Sequence, residues 1–316
     1  MTGFIIGAYP SAPSFYYLDE EDESKFFRLL SDREEIGGLE QPCLKEMHPL
    51  GNEFLFSHIP EDWKIVCTAV MYTMGQRKDN PGFGLASTDE EGRKACVRFH
   101  RHILEQMNTC TARYGSHRFS HLEIQSAPLK NCQDADASTE AFLTSLKEIL
   151  SWDWPCKIVI EHCDDMHSKR LSKGFLPLLN EIAACRNKDL GICINWARSV
   201  LEADDIYEPL KAIAMCKEAG VLKGLMFSGT ATGGSWGDHN DNHVPFAPFA
   251  DSRLKVEESL LTVERARDCI QLAGNAPEFI GAKLMEYNRD ADFDHRIGIL
   301  LDGVDALNLA QRKDTV

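Results

Sequence analysis

Glu161 and His162 follow the apolar run Ile158-Val159-Ile160, where a strand would leave a core. A carboxylate held there can act as a general base or a metal ligand; otherwise it ties a loop down through an ion pair. Alternation along a strand turns one of the two residues inward, Glu161 sharing its face with Val159. Lys283 lies inside another apolar run, Phe279–Leu284, where an ammonium without a partner is costly. Facing a cavity, it would steady an enolate or carboxylate, or serve as a base or Schiff-base amine with a depressed pKa. Facing outward, its stem would snorkel past a helix. Glu286 competes for the same place if the strand runs longer.

Glu123 and Gln125 occupy alternate positions of His121–Gln125 and share a face. Inward, they bring a carboxylate and an amide to a cavity floor. Glu40 ends the run from Ile36 in the same way, although Pro42 nearby equally suits a loop-holding role. Asn195, Trp196 and Arg198 join an amide, an indole and a guanidinium, a set suited to hydroxyl and anion recognition. Pairing of Arg198 with an acidic helix is the plainer alternative. The stretch Ser228–Pro245 gathers Trp236, Asp238, His239, Asp241 and His243. Its histidines and aspartates invite a metal reading. Its Gly, Asn and Pro content argues against a helix that would fix ligand geometry. Trp236 suits sugar stacking or the anchoring of a lid. Cys163 stands near a strand end as a candidate nucleophile.

Apolar segments beginning near Phe4, Ile36, Ile65, Leu122, Ile158, Ile192, Leu225 and Phe279 position these groups, each followed by a helix-like stretch. Strand–helix alternation repeated so often reads as a single (β/α)8 barrel spanning 1–316, with no linker between domains. Barrel enzymes carry their chemistry just after the strands. Long insertions follow the third strand (Met71–Thr88) and the seventh (to Ser252), as lids or substrate-binding loops do. Thr88-Asp89-Glu90-Glu91 and the pair Ser199/Glu202 read as capping boxes opening helices. Further helices are expected over about 138–150 and 291–311.

With 34 Lys+Arg against 49 Asp+Glu, the net charge of -15 disfavours nucleic acid as a partner. No apolar run is long enough for a membrane span, and the start lacks the pattern of a signal peptide. Eleven cysteines without a C-x-x-C pair fit buried thiols in a reducing cytoplasm. Dinucleotide, P-loop, serine-hydrolase and zincin motifs are absent from the sequence.

Several short motifs carry a resemblance: Gly7-Ala8-Tyr9-Pro10, Ser126-Ala127-Pro128, Glu161-His162-Cys163-Asp164, Lys173-Gly174-Phe175-Leu176-Pro177, Asn195-Trp196-Ala197-Arg198-Ser199 and Met226-Phe227-Ser228-Gly229. The chain resembles, over nearly its whole length, a bacterial and fungal family described as a domain of unknown function. That family looks like a branch of the xylose-isomerase-like TIM barrels, which include sugar isomerases, keto-sugar epimerases and an endonuclease. The resemblance implies a divalent ion held by Glu, Asp, His and Glu from strands five to eight. The matching positions are Glu161, Asn195, Ser228 and Lys283 or Glu286, so the usual ligand set is eroded. His239 or His243 would have to replace the lost histidine. No residue is therefore assigned to a metal, and the cofactor stays open.

Together these readings lead to a carbohydrate-active isomerase or epimerase that moves a proton next to a carbonyl. Glu161 is expected as base and Lys283 as oxyanion stabiliser, with His162, Glu123 or His243 as further acid/base groups. Asn195, Arg198, Trp236, Asp241, Gln125 and Glu40 would hold a small carbohydrate. The alternatives are a glycoside lyase or hydrolase using Glu123 and Glu161 as a carboxylate pair, and a sugar-binding barrel without turnover. A homo-oligomer is left open.

Overall fold

The computed structural model describes residues 3–44 and 46–312. Every apolar run named above forms a strand: β1 (Phe4–Gly7), β2 (Ile36–Pro42), β3 (Lys64–Thr68), β4 (Phe119–Ile124), β5 (Lys157–His162), β6 (Gly191–Asn195), β7 (Leu222–Phe227) and β8 (Phe279–Lys283). All neighbours are parallel, and β8 pairs back onto β1 to close a barrel in chain order. The helices on the outside are α1 (Glu20–Ser31), α2 (Asn52–His58), α3 (Val70–Asp79), α4 (Glu90–Tyr114), α5 (Ala135–Ile149), α6 (Leu178–Cys185), α7 (Trp196–Ala203), α8 (Glu208–Glu218), α9 (Val263–Ala273) and α10 (Phe293–Gln311). Covered on both sides, the strands need apolar residues on both faces, which is why they read as short continuous apolar runs.

Two hydrophobic layers result. Outward strand residues such as Ile6, Leu39, Ile65, Ile160 and Leu225 pack with Phe26, Phe27, Ile103, Phe142 and Leu307 of the helices. Inward residues Ile5, Val66, Val159, Cys193, Met226 and Phe279 fill the lower half of the barrel. The upper half is polar. Gly7 is what makes room there. A Cβ on it would lie 2.8 Å from Glu40 Oε2 and 2.9 Å from the Lys283 Cβ.

Three local expectations need correction. The insertion after the third strand is half helical, because Val70–Asp79 coils into α3 and its glycine-rich, proline-containing part begins only at Asn80. α4 is capped by Asp89, whose carboxylate accepts from the Glu91 amide 3.1 Å away, and not by Thr88. Ser199 is no cap either. α7 starts directly at the end of β6, leaving Ser199 inside the helix with its hydroxyl donating back to the Asn195 carbonyl. Among the described residues, no helix is long and apolar enough to cross a membrane.

Candidate active site at the closed mouth of the barrel

In β3, β5 and β6 a polar residue stands two positions beyond an inward apolar one: Thr68 after Val66, Glu161 after Val159, Asn195 after Cys193. The period of two therefore aims all three at one rim, the C-terminal end of the barrel. Glu40, Glu123, Ser228 and Lys283 join them from β2, β4, the end of β7 and β8.

Glu161 is the hub. Its Oε1 accepts from Lys283 Nζ at 3.2 Å and from Arg198 Nη1 at 3.0 Å. Its Oε2 accepts from Gln125 Nε2 at 3.0 Å and Thr68 Oγ1 at 3.3 Å. Lys283 also ion-pairs with Glu40. Glu161 and Arg198 are 1% exposed, and Lys283, Glu40 and Glu123 are fully buried. Charges so far from water persist only when paired, and here they are paired across the barrel axis. Asn195 turns its amide oxygen to the Ser228 hydroxyl, 2.7 Å away.

Shared surroundings push the three carboxyls apart. Burial alone would raise Glu161, but Arg198 and Lys283 outweigh it and hold the carboxylate down at about 2. Burial raises Glu123 well above the ordinary range, and the charges of Glu161 and Glu40 add to that. Glu40 is raised by burial despite Lys283. Lys283 is lowered by burial but held well above its ordinary value by Glu161 and Glu40, so it is an ammonium. That excludes the deprotonated, Schiff-base-forming lysine from this state. The result is one carboxylate held low, one carboxyl pushed up and one ammonium held high at the same rim, the kind of divergence that acid–base enzymes use.

A second ring covers the first. Asp241 Oδ2 accepts from Lys173 Nζ at 2.5 Å, and its Oδ1 lies 3.8 Å from Arg198 Nε and 3.9 Å from His243 Nδ1. His243 takes a left-handed backbone, φ 49°, and its carbonyl accepts from the Met285 amide at 2.9 Å. Burial lowers His243 to about 3 in spite of Asp241, so its imidazole is neutral. The Tyr9 ring lies 5.9 Å from Lys283 Nζ. Backbone pairing of Gly229 with Val244, 2.8 and 2.9 Å, folds the loop after β7 over the mouth. On the flank a cavity of about 720 Å³, lined by Tyr9, Gln41, Leu44, His48 and Met71, reaches Tyr9 from the side of the first two loops.

Some expected residues stand elsewhere. His162 faces away from the axis: its Nδ1 meets Glu181 Oε2 at 2.7 Å and its Nε2 meets Glu202 Oε2 at 3.1 Å. Neighbours on a strand point to opposite sides, so with Glu161 inside His162 is a buried rivet between the barrel and its helices. Trp236 is packed with Ala231, Val244 and Val256, its ring 5.6 Å from Tyr287, and serves as the anchor of the loop. Glu286 pairs with His295 at 2.8 Å, leaving the site to Lys283. The Cys163 thiol is raised well above its ordinary value by burial and accepts from Arg198 Nη1 at 2.5 Å. It is no thiolate nucleophile. The sequence assigns no site role to Tyr9, Thr68 or Lys173, although Tyr9 and Lys173 stand in the motifs that carry the resemblance. Parity could have found the first two, since Tyr9 continues the inward series Ile5, Gly7 and Thr68 follows Val66.

A divalent ion fits poorly. Oxygens of Glu40, Glu123 and Glu161 lie within 4.8 Å of one another, close enough to ligate. The Lys283 ammonium contacts two of the three, so a metal ion there would meet like charge. Asn195 and Ser228, which are engaged with each other, stand where the resemblance implies Asp and His.

The sequence profile of a domain of unknown function, DUF4862, matches residues 5–299. The uncharacterized protein STM3670 of Salmonella typhimurium strain LT2 is 47% identical over 315 residues, 99% of either chain. A xylose isomerase domain containing protein of Salmonella typhimurium LT2 superposes with a TM-score of 0.56, covering 97% of both chains at 13% identity. D-Psicose 3-epimerase of Clostridium cellulolyticum H10 superposes with a TM-score of 0.54, covering 98% of both chains at 10% identity. At such identities the likeness shows the xylose-isomerase-like barrel fold alone.

Proposed function

Because the chain belongs to the DUF4862 family and folds as a xylose-isomerase-like barrel, we propose that it is a sugar isomerase or epimerase transferring a proton next to a carbonyl. The observation that carries this reading is the meeting of Glu161 and Lys283, 3.2 Å apart, at the rim where barrel enzymes do chemistry. A substrate carbonyl accepting from Lys283 Nζ would have its developing oxyanion stabilised by a fixed positive charge in a dry site. The same substitution takes Lys283 away from Glu161, whose basicity then rises towards that of a working base. Glu123, whose carboxyl burial and the charges of Glu161 and Glu40 push upward, would return a proton as the acid. Arg198 and Gln125 orient the base, and Asn195, Asp241 and His243 offer hydrogen bonds to sugar hydroxyls. Substrate must lift the loop that carries Asp241, breaking its contact with Lys173. Eleven free cysteines agree with a cytoplasmic setting.

The sealed mouth favours one competitor, a sugar-binding barrel without turnover. Carboxylate oxygens of Glu123 and Glu161 within 4.8 Å also confine any glycoside-cleaving reading to the retaining geometry, since inverting pairs stand about 6.5–9.5 Å apart. A screen of keto-sugars and uronates, read by NMR for exchange of the carbon-bound proton with D2O, separates the three. Glu161→Gln should lower turnover at least about 10³-fold while the far-UV spectrum and Tm hold. A fully active variant, or no exchange on any bound sugar, ends the assignment.

A further inference from the structure

We infer that the Lys283 ammonium is a built-in cation standing in a divalent-metal site made by Glu40, Glu123 and Glu161, and that removing it turns this cluster into a working metal site. The inference does not depend on the isomerase reading, because it concerns which cation the cluster holds and not what reaction follows.

Oxygens of the three carboxylates lie within 4.8 Å of one another at the barrel axis, and Lys283 Nζ makes ion pairs with two of them. The third is an orphan. Glu123 is fully buried, aimed into the cluster, and neither of its carboxylate oxygens accepts a hydrogen bond. A buried carboxyl left without a donor is expensive unless a cation serves it. The floor beneath is apolar at Ile5, Val66, Val159 and Met226, and the Cys193 thiol beside Glu123 is a weak donor without charge. Gly7 leaves the space beside Glu40 and the lysine stem that a side chain would fill. The stem of Lys283 therefore delivers one positive charge to a place where three hard oxygen ligands converge. Such a donor set suits Mn²⁺ or Mg²⁺ and not a thiolate-seeking ion.

The test compares chelator-treated wild type, Lys283→Met, Lys283→Arg and Lys283→Met/Glu123→Gln, titrated with Mn²⁺ by calorimetry and followed by thermal unfolding. Lys283→Met should take up one Mn²⁺ per chain and gain several degrees in Tm with it. Wild type and Lys283→Arg, which keep the charge, should show neither effect, and the double variant should lose both. Mn²⁺ binding by wild type that Glu123→Gln abolishes would overturn the inference. So would a folded Lys283→Met that binds no Mn²⁺. If Lys283→Met unfolds on purification, refolding it with and without Mn²⁺ reads the same property: recovery that depends on Mn²⁺ supports the inference, and equal recovery overturns it.

Discussion

The two ends of this barrel each hold a carboxylate pulled down to about 2, and the two values mean different things. At the N-terminal end Glu278 resists its own burial through Lys157 at 2.7 Å and Lys223 at 3.1 Å, with His121 at 3.3 Å. Its side chain is 26% exposed, and it borders an open hollow of about 1040 Å³ also lined by Glu35, Lys64 and His117. Water there would solvate the same charges if the pairs were broken. At the C-terminal end Glu161 is held by Lys283 and Arg198 in a place that water does not reach. The larger of the two hollows described thus lies at the end away from Glu161 and Lys283. What marks the other end is charge that has no alternative partner.

That contrast can be broken most strongly at Lys283. Lys283→Met should cost about 3–5 kcal/mol in urea unfolding without added metal, because Glu40 loses its ion-pair partner in a buried place and Glu161 is left with Arg198 alone as its cation. His162→Gln should cost about 1.5–3 kcal/mol near neutral pH, by removing a buried charged donor. Its sign with pH is specific. Burial alone would lower His162, but Glu181 and Glu202 raise it to about 10, above the unfolded value of about 6.5. The stabilisation is full below about pH 6.5 and fades as pH rises through about 10. The gap between wild type and His162→Gln should close over that window, while turnover per folded molecule stays unchanged throughout. Gly7→Ala should cost about 1–3 kcal/mol by crowding Glu40 and Lys283, seen as a lowered Tm. Glu278→Gln, at the wet end, should change stability by less than about 1 kcal/mol, and added salt should shrink even that. If Glu278→Gln matched Lys283→Met in cost, the distinction drawn between the two ends would fail.

Much of the architecture is legible in the chain because both-sided burial demands apolar runs, and eight of them announce eight strands. Glu161, Lys283, Glu40 and Glu123 are legible for the opposite reason: each is a charge set in or at the end of such a run. The direction of a side chain is harder to read. Glu161 and His162 both end β5, and only their hydrogen-bond partners, far off in sequence, decide which enters the barrel. Glu181 and Glu202 belong to helices whose docking no local pattern fixes. Ser199 carries a capping signature, yet β6 runs into α7 without a turn, and packing of Trp196 and Ala197 decides the helix start instead. In the segment after β3, Gly and Pro are concentrated past Asn80, and reading the segment as one unit hides the helix before it. Lys173 and Asp241 meet only through the fold, 68 residues apart.

The ion pair between Lys283 and Glu40 joins the last strand to the second, reaching over β1 at the seam where the barrel shuts. A nascent chain that has folded through β7 owns Glu40, Glu123 and Glu161 but lacks the one lysine that reconciles two of them. Until the final segment emerges and docks, those acids must stay protonated, hydrated or apart. Formation of this charge cluster is therefore postponed until β8 has docked, so a product truncated before β8 would hold its buried acids without that lysine.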